Sequence, residues 1–225
     1  MTDTIITVRG EYSTWLPAER ATVDAAVSVE GPDRAAVFAQ ATEAAATVRT
    51  SIAAQHDSEN GPITWWSSGT VSLSHYQPWN PDGTQRDLVY VATVGFRVKF
   101  SDFTALAAWV DHVASLPAVT VSGIDWALTD ATRDAATADV RQRSVADAVS
   151  KATTFAAAVG LSSVNPLAIA DPGMLGDAGS SGGSGLEPRM MSKASMDSGS
   201  ASTGLSLKPE EIEVASEVDV RFIAS

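Results

Sequence analysis

The chain has 225 residues, 15 of them basic and 27 acidic, for a formal net charge of −12. Such a surplus repels phosphate backbones and anionic lipid, so neither nucleic-acid binding nor attachment to an anionic membrane is expected. There is no cysteine, which excludes disulfides, thiolate catalysis and cysteine-ligated zinc. No apolar window approaches the ~18 residues of a membrane-spanning helix, so no membrane insertion is expected.

The N-terminus, MTDTIITVRGEY, lacks the basic and apolar regions of a signal peptide. A cytoplasmic location is therefore expected if Met1 is the native start. Ile5 to Glu11 is a short strand followed by a loop through Pro17. Ala21 to Glu30 alternates, with Val23, Ala25, Val27 and Val29 on one side. Gly31-Pro32-Asp33 is a turn and helix cap. The helix after it, about Arg34 to Ala54, carries Val37, Ala41, Ala44, Ala45, Val48 and Ile52 on one face.

Ile63 to Tyr76 reads as one long strand, with Ile63, Trp65, Val71 and Leu73 on one side, Trp66 on the other and a bulge or bend at Gly69. The loop Gln77 to Asp87 contains Pro-Asp-Gly, a turn in which proline presets φ and glycine accepts φ > 0. Leu88 to Phe100 pairs back, with Tyr90, Ala92, Val94, Phe96, Val98 and Phe100 sharing a face. Ser101 or Asp102 caps a second helix, about Phe103 to Ser115, which turns Leu106, Trp109, Val110 and Val113 inward. Val119 to Leu128 is a strand.

From about 130 to 159 no glycine or proline interrupts a long helix, capped by Thr129 or Asp130 and stopped by Gly160. Its apolar stripe reads as Val145, Ala148, Val149, Ala152, Phe155, Ala156 and Val159. A short strand, about Val164 to Asp171, follows. Residues 172–206 are rich in Gly, Ser and Met without a period, and read as a flexible insertion. Glu211 to Ile223 alternates Ile212, Val214, Val218, Val220 and Phe222 with polar residues, the cleanest strand pattern in the chain. The order predicts an α+β fold, a mainly antiparallel sheet with helices on one face, in one domain spanning 1–225.

The chain offers little chemistry. His56, His75 and His112 lie in a loop, at a strand end and on a helix, without metal-ligand spacing. The GSSGGSG run lacks the Lys-Ser/Thr of a phosphate loop and reads as linker. Asp130, Asp134 and Asp139 read as helix-start electrostatics and a solvated face. No catalytic residue, cofactor or metal site is expected. Two groups remain. Trp65, Trp66, Tyr76 and Trp79 surround one strand and its hairpin as a subunit contact, a ligand platform or ordinary packing. Met174, Met190, Met191 and Met196 lie in the Gly/Ser segment, where exposed thioethers oxidise reversibly, dock apolar partners, or have no role.

Three stretches, in order, carry a family resemblance: ITVRGEY with the strand that ends GPDR, RQRSVADAVSKATTFAAAVGL, and LKPEEIEVASEVDVRFIAS. Together they resemble the SIMPL domains, the bacterial oxidative stress defence family, over nearly the whole chain; Glu210 stands where that family usually has glycine. The resemblance implies an α+β fold and supplies no established catalytic residues to carry over. Some members form large hollow rings, and bacterial members are often periplasmic and linked to oxidative stress tolerance. A periplasmic location is thus the alternative to a cytoplasmic one. The expectation is a non-enzymatic, self-assembling homo-oligomer, with an unknown protein partner left open. A monomeric module that binds a small molecule or peptide on its tryptophan surface is the alternative.

Overall fold

The computed structural model describes residues 3–79, 83, 85–175 and 207–225. Eight strands and three helices are seen among them: β1 (Thr4–Pro17), β2 (Arg20–Gly31), α1 (Arg34–Ala53), β3 (Ile63–Ser68), β4 (Ser72–Tyr76), β5 (Val89–Phe100), α2 (Phe103–Ala114), β6 (Val119–Ala127), α3 (Asp130–Ala158), β7 (Val164–Ala170) and β8 (Glu211–Ala224). The fold is α+β, as the element order predicts. The strands form two antiparallel sheets rather than one. Among the described residues, 3–17, 128–175 and 210–225 make one compact unit, and 18–79, 83, 85–127 and 207–209 make another.

The second unit has the sheet order β3-β5-β2-β6, with β4 also paired to β5. Two β-α-β units, β2-α1-β3 and β5-α2-β6, interleave so that β5 lies between β2 and β3. This is the split βαβ arrangement of a ferredoxin-like sheet. The alternation in β2 and β5 aims Val23, Val27, Val94, Phe96, Val98 and Phe100 at one face, where Val48 and Ile52 of α1 and Leu106, Trp109 and Val113 of α2 complete a buried cluster. Both helices start on aspartate. The Asp33 carboxylate accepts from Ala36 N–H (2.7 Å), and that of Asp102 from Thr104 N–H (2.8 Å) and Ala105 N–H (3.2 Å), each meeting donors the first turn leaves unpaired.

The expected single strand over 63–76 is broken. β3 and β4 are separate strands on β5, and the register slips between Ile63 and Trp65. Ile63 opposes Phe100, Trp65 opposes Lys99 and Trp66 opposes Val98. Thr64 is the extra residue. A one-residue slip exchanges the faces of everything beyond it. Trp66 therefore packs on the buried cluster and Trp65 lies outside it, the reverse of the simple alternation.

In the first unit the sheet order is β1-β8-β7. β1 does not end near Glu11 but continues to Pro17, and its ladder with β8 runs from Thr4 opposite Ala224 to Pro17 opposite Glu211. Proline is tolerated there because it is the terminal residue of an edge strand. α3 lies on this sheet, at ~1.5 Å per residue a rod of order 45 Å. Its buried seam is Ala136, Val140, Ser144, Ala148, Ala152 and Ala156, one residue every four. This is an i±4 row, inclined by about 26° to the helix axis. The stripe expected from sequence was too wide: Phe155 is 55% and Val159 66% exposed, and Val149 is also exposed. Alanine and serine along the seam let the helix axis come close to the strands. Ile6 and Val8 of β1 and Val218, Val220 and Phe222 of β8 share a cluster with Ala148, Ala152 and Ala156.

Candidate functional site

The densest polar constellation lies where α3 passes β1. As an edge strand, β1 has backbone groups that β8 does not reach. The Glu11 N–H donates to Asp147 Oδ2 (3.0 Å), and Lys151 Nζ donates to the Arg9 carbonyl (3.0 Å). Asp147 and Lys151 sit one helical turn apart and pair with each other (2.7 Å), and Lys151 also reaches Glu11 Oε1 (3.3 Å). The pair supplies the acceptor and donor that a neighbouring strand would supply, and so closes this part of the edge. On β8, Asp219 takes Arg9 Nε at 2.7 Å and the Gly173 N–H at 2.7 Å, while Arg221 donates to the Leu175 carbonyl (2.9 Å). These contacts hold the turn that follows β7.

The Lys151 hydrogen bond, then the Glu11 N–H, hold the Asp147 carboxyl below the usual carboxylate range. The Arg9 hydrogen bond lowers Asp219, opposed by desolvation and aided by the Gly173 N–H. A depressed folded-state value gives stability that is present above the unfolded aspartate value, about 3.9, and lost as pH falls through the folded one. The urea midpoint of the protein should therefore fall as pH drops below about 4. Asp147→Asn should flatten part of that fall. An equally steep fall in the variant would remove Asp147 from the linkage.

The tryptophan group is dispersed. Trp65 is 46% exposed with Lys99 Nζ 5.9 Å from its ring centre, a cation–π distance. Trp66 is half-buried on the second unit's core. Tyr76, 48% exposed on β4, donates from its hydroxyl to Glu30 (3.4 Å). Trp79 is 65% exposed and bridges to Gln85. None of the four rings stacks on another among the described residues. Met174 is exposed, in the turn after β7. Met190, Met191 and Met196 lie outside the described residues, as does most of the 172–206 segment.

The histidines stay apart. His56 Nδ1 lies 3.0 Å from the Ile63 carbonyl, the His75 ring is tilted against Tyr90 at 6.0 Å, and His112 is in the last turn of α2. Among the described residues no three His, Asp or Glu side chains gather in a metal-binding arrangement, and no helix is long and apolar enough to cross a membrane.

A feature the sequence reading missed is a groove of ≈ 360 Å³ in the second unit, between α1 and the turn from α2 into β6. Gln40, Glu43, Ala44 and Thr47 face it from α1, and Leu116 to Val119 form the other wall. Their spacing on α1, i, i+3, i+4 and i+7, is one helix face, on which Ala44 alone belongs to the apolar stripe expected from sequence.

The family model described as SIMPL, protein of unknown function (DUF541), matches residues 6–222. The chain belongs to the SIMPL family. The match takes in residues of both compact units and covers α3 and both sheets apart from the outer ends of β1 and β8. None of the curated proteins compared with the chain matches it. Of the three stretches that carried the resemblance, the first supplies the edge residues Arg9 and Glu11, the second Asp147 and Lys151 of α3, and the third Asp219 and Arg221 of β8. The SIMPL pattern in this chain is thus largely the pattern that docks α3 on the three-stranded sheet.

Proposed function

We propose that this SIMPL protein is non-enzymatic and self-assembling, with subunits meeting along β7 and around the exposed tryptophans. The observation that carries the reading is β7. Among the described residues it is an edge strand whose one strand neighbour is β8, and its Leu167 and Ile169 are each 58% exposed. The opposite edge, β1, has its backbone groups at Arg9 and Glu11 occupied by Lys151 and Asp147. An edge with apolar side chains and no such closure is a template for another chain. Trp65 and Trp79 add exposed aromatic surface, the residue type most enriched at interface anchors. A ring or hollow oligomer, and a role in oxidative stress tolerance, are the form and setting that the family resemblance supplies. The non-enzymatic reading rests on a sequence without a nucleophile–base pair or metal-ligand spacing.

Solution mass, by light scattering behind a sizing column at two salt concentrations, tests the proposal. The expected result is a discrete multiple of the 23.4 kDa chain. Ile169→Lys should lower that mass, and Trp65→Ala or Trp79→Ala should weaken assembly. A monomer at both salts would overturn self-assembly and favour the binding-module reading. An unchanged mass in Ile169→Lys would move the contact off β7.

A further inference from the structure

We propose that the groove between α1 and the α2–β6 turn binds a small amphipathic organic cation, an apolar body carrying a protonated amine. At ≈ 360 Å³ the groove lies within the size range of small-molecule sites. Its two walls differ in chemistry. The turn wall consists of Leu116, Pro117, Ala118 and Val119, and α1 adds Ala44, which together favour an apolar body. The helix wall presents Gln40, Glu43 and Thr47, among which Glu43 is the one ionisable side chain of the lining. Among the described residues neither the Glu43 carboxylate nor the Gln40 amide has a side-chain hydrogen bond or ion pair, so both are available to a ligand. A single carboxylate beside an apolar wall is complementary to one positive charge at the end of a hydrocarbon body. It repels an anion of the same shape.

The turn wall is also held in a conformation that its residue type disfavours. Ala118 has φ +65°, the one non-glycine residue with positive φ among those described. Crowding of the β-carbon makes this region unfavourable for alanine. The Ser28 N–H fixes it by donating to the Ala118 carbonyl at 2.8 Å, which ties the turn to β2. Backbone strain kept in place by the surrounding fold is a feature of ligand clamps. Here it sets the wall that faces Glu43.

The test uses the full chain and two probes of one shape, 1-naphthylmethylamine and the uncharged 1-naphthylmethanol, followed by NMR titration. The amine should bind saturably and about three- to fivefold tighter than the alcohol, the range for a charge pair on an exposed carboxylate such as Glu43. The amide signals of Leu116, Ala118 and Thr47 should shift, with those of Trp65 and Trp79 unmoved. Glu43→Gln, on an exposed helix face, should keep the fold and abolish the preference for the amine while leaving the alcohol's affinity unchanged. Ala44→Trp, which fills the groove, should abolish binding of both. Absence of saturable amine binding would overturn the proposal, as would equal amine affinity in Glu43→Gln and the natural chain. Shifts confined to the tryptophans would do so too. These outcomes are independent of the solution mass that tests self-assembly.

Discussion

Gly10→Ala should destabilise the first unit by about 3 kcal/mol or more, at the upper end for an overpacked site. Gly95→Ala, the same chemical change in another strand, should leave stability within about 0.5 kcal/mol or raise it. Neither glycine has a positive φ, so backbone conformation does not separate them. Space does. A β-carbon on Gly10 would collide with the Ser144 carbonyl oxygen and lie 2.7 Å from the Ala148 nitrogen and 2.8 Å from its β-carbon. Those are main-chain and first-carbon atoms of α3, which no rotamer change can move. A β-carbon on Gly95 meets nothing within 4 Å.

The consequence at Gly10 reaches beyond one contact. α3 would have to rise from the sheet, and its seam there holds the buried Ser144, whose hydroxyl donates to the Arg141 carbonyl (2.9 Å) and reaches Ser216 at 3.4 Å. The Asp147–Lys151 pair, one turn further along, would also be drawn off the β1 edge. Thermal or urea unfolding of both variants decides the matter. Gly10→Ala with the stability of the natural chain would mean that α3 does not approach β1 so closely.

Gly10 also marks a limit of what could be read from residues alone. A glycine inside an alternating strand signals either an end or a close approach. The sequence reading took the end and stopped β1 near Glu11, whereas the strand runs on to Pro17. The choice depended on α3, which lies more than a hundred residues away in the chain. The helices themselves were legible, because period, caps and breakers are local. Asp33, Asp102 and Thr129 cap α1, α2 and α3 as expected, and the buried residues of α1 and α2 fall on the predicted faces.

Local pattern failed in two further ways. Periodicity shows that α3 has an apolar side but not how wide a strip the sheet covers, so Phe155 and Val159 were placed inward when the i±4 seam leaves them out. The slip at Thr64 leaves no mark in the alternation of ITWWSS, and so the faces of Trp65 and Trp66 were exchanged. The groove was invisible for another reason. Glu43 and Leu116 meet only through the fold, and the groove face of α1 has the composition of any exposed helix surface.

Trp109→Ala should cost about 3–5 kcal/mol, the range for truncating a buried aromatic residue. In a chain of this length that corresponds to a fall in Tm of roughly 10 °C. Trp109 is 1% exposed and among the largest fully buried side chains. It projects from α2, its ring centre lies 5.5 Å from that of Phe100 on β5 at 50°, and its indole Nε1 donates to Ser51 Oγ of α1 at 3.1 Å. One side chain thus joins both helices to the sheet. Its loss opens a cavity that the other members of the cluster can fill only by moving whole elements, since each is anchored in a strand or helix of its own.

Trp109→Phe divides the effect. A phenyl ring retains much of the packing but donates no hydrogen bond, and the Ser51 hydroxyl keeps its own donation to the Val48 carbonyl (2.8 Å). The phenylalanine variant should therefore lose about 1–2 kcal/mol, a hydrogen bond and a small void. Ser51→Ala should cost less in that background than in the natural chain, because the partner it serves is already gone. An alanine variant less than 1 kcal/mol below the natural chain would mean that α2 is not held through Trp109. Equal costs for Ser51→Ala in the two backgrounds would assign the tryptophan's contribution to volume alone.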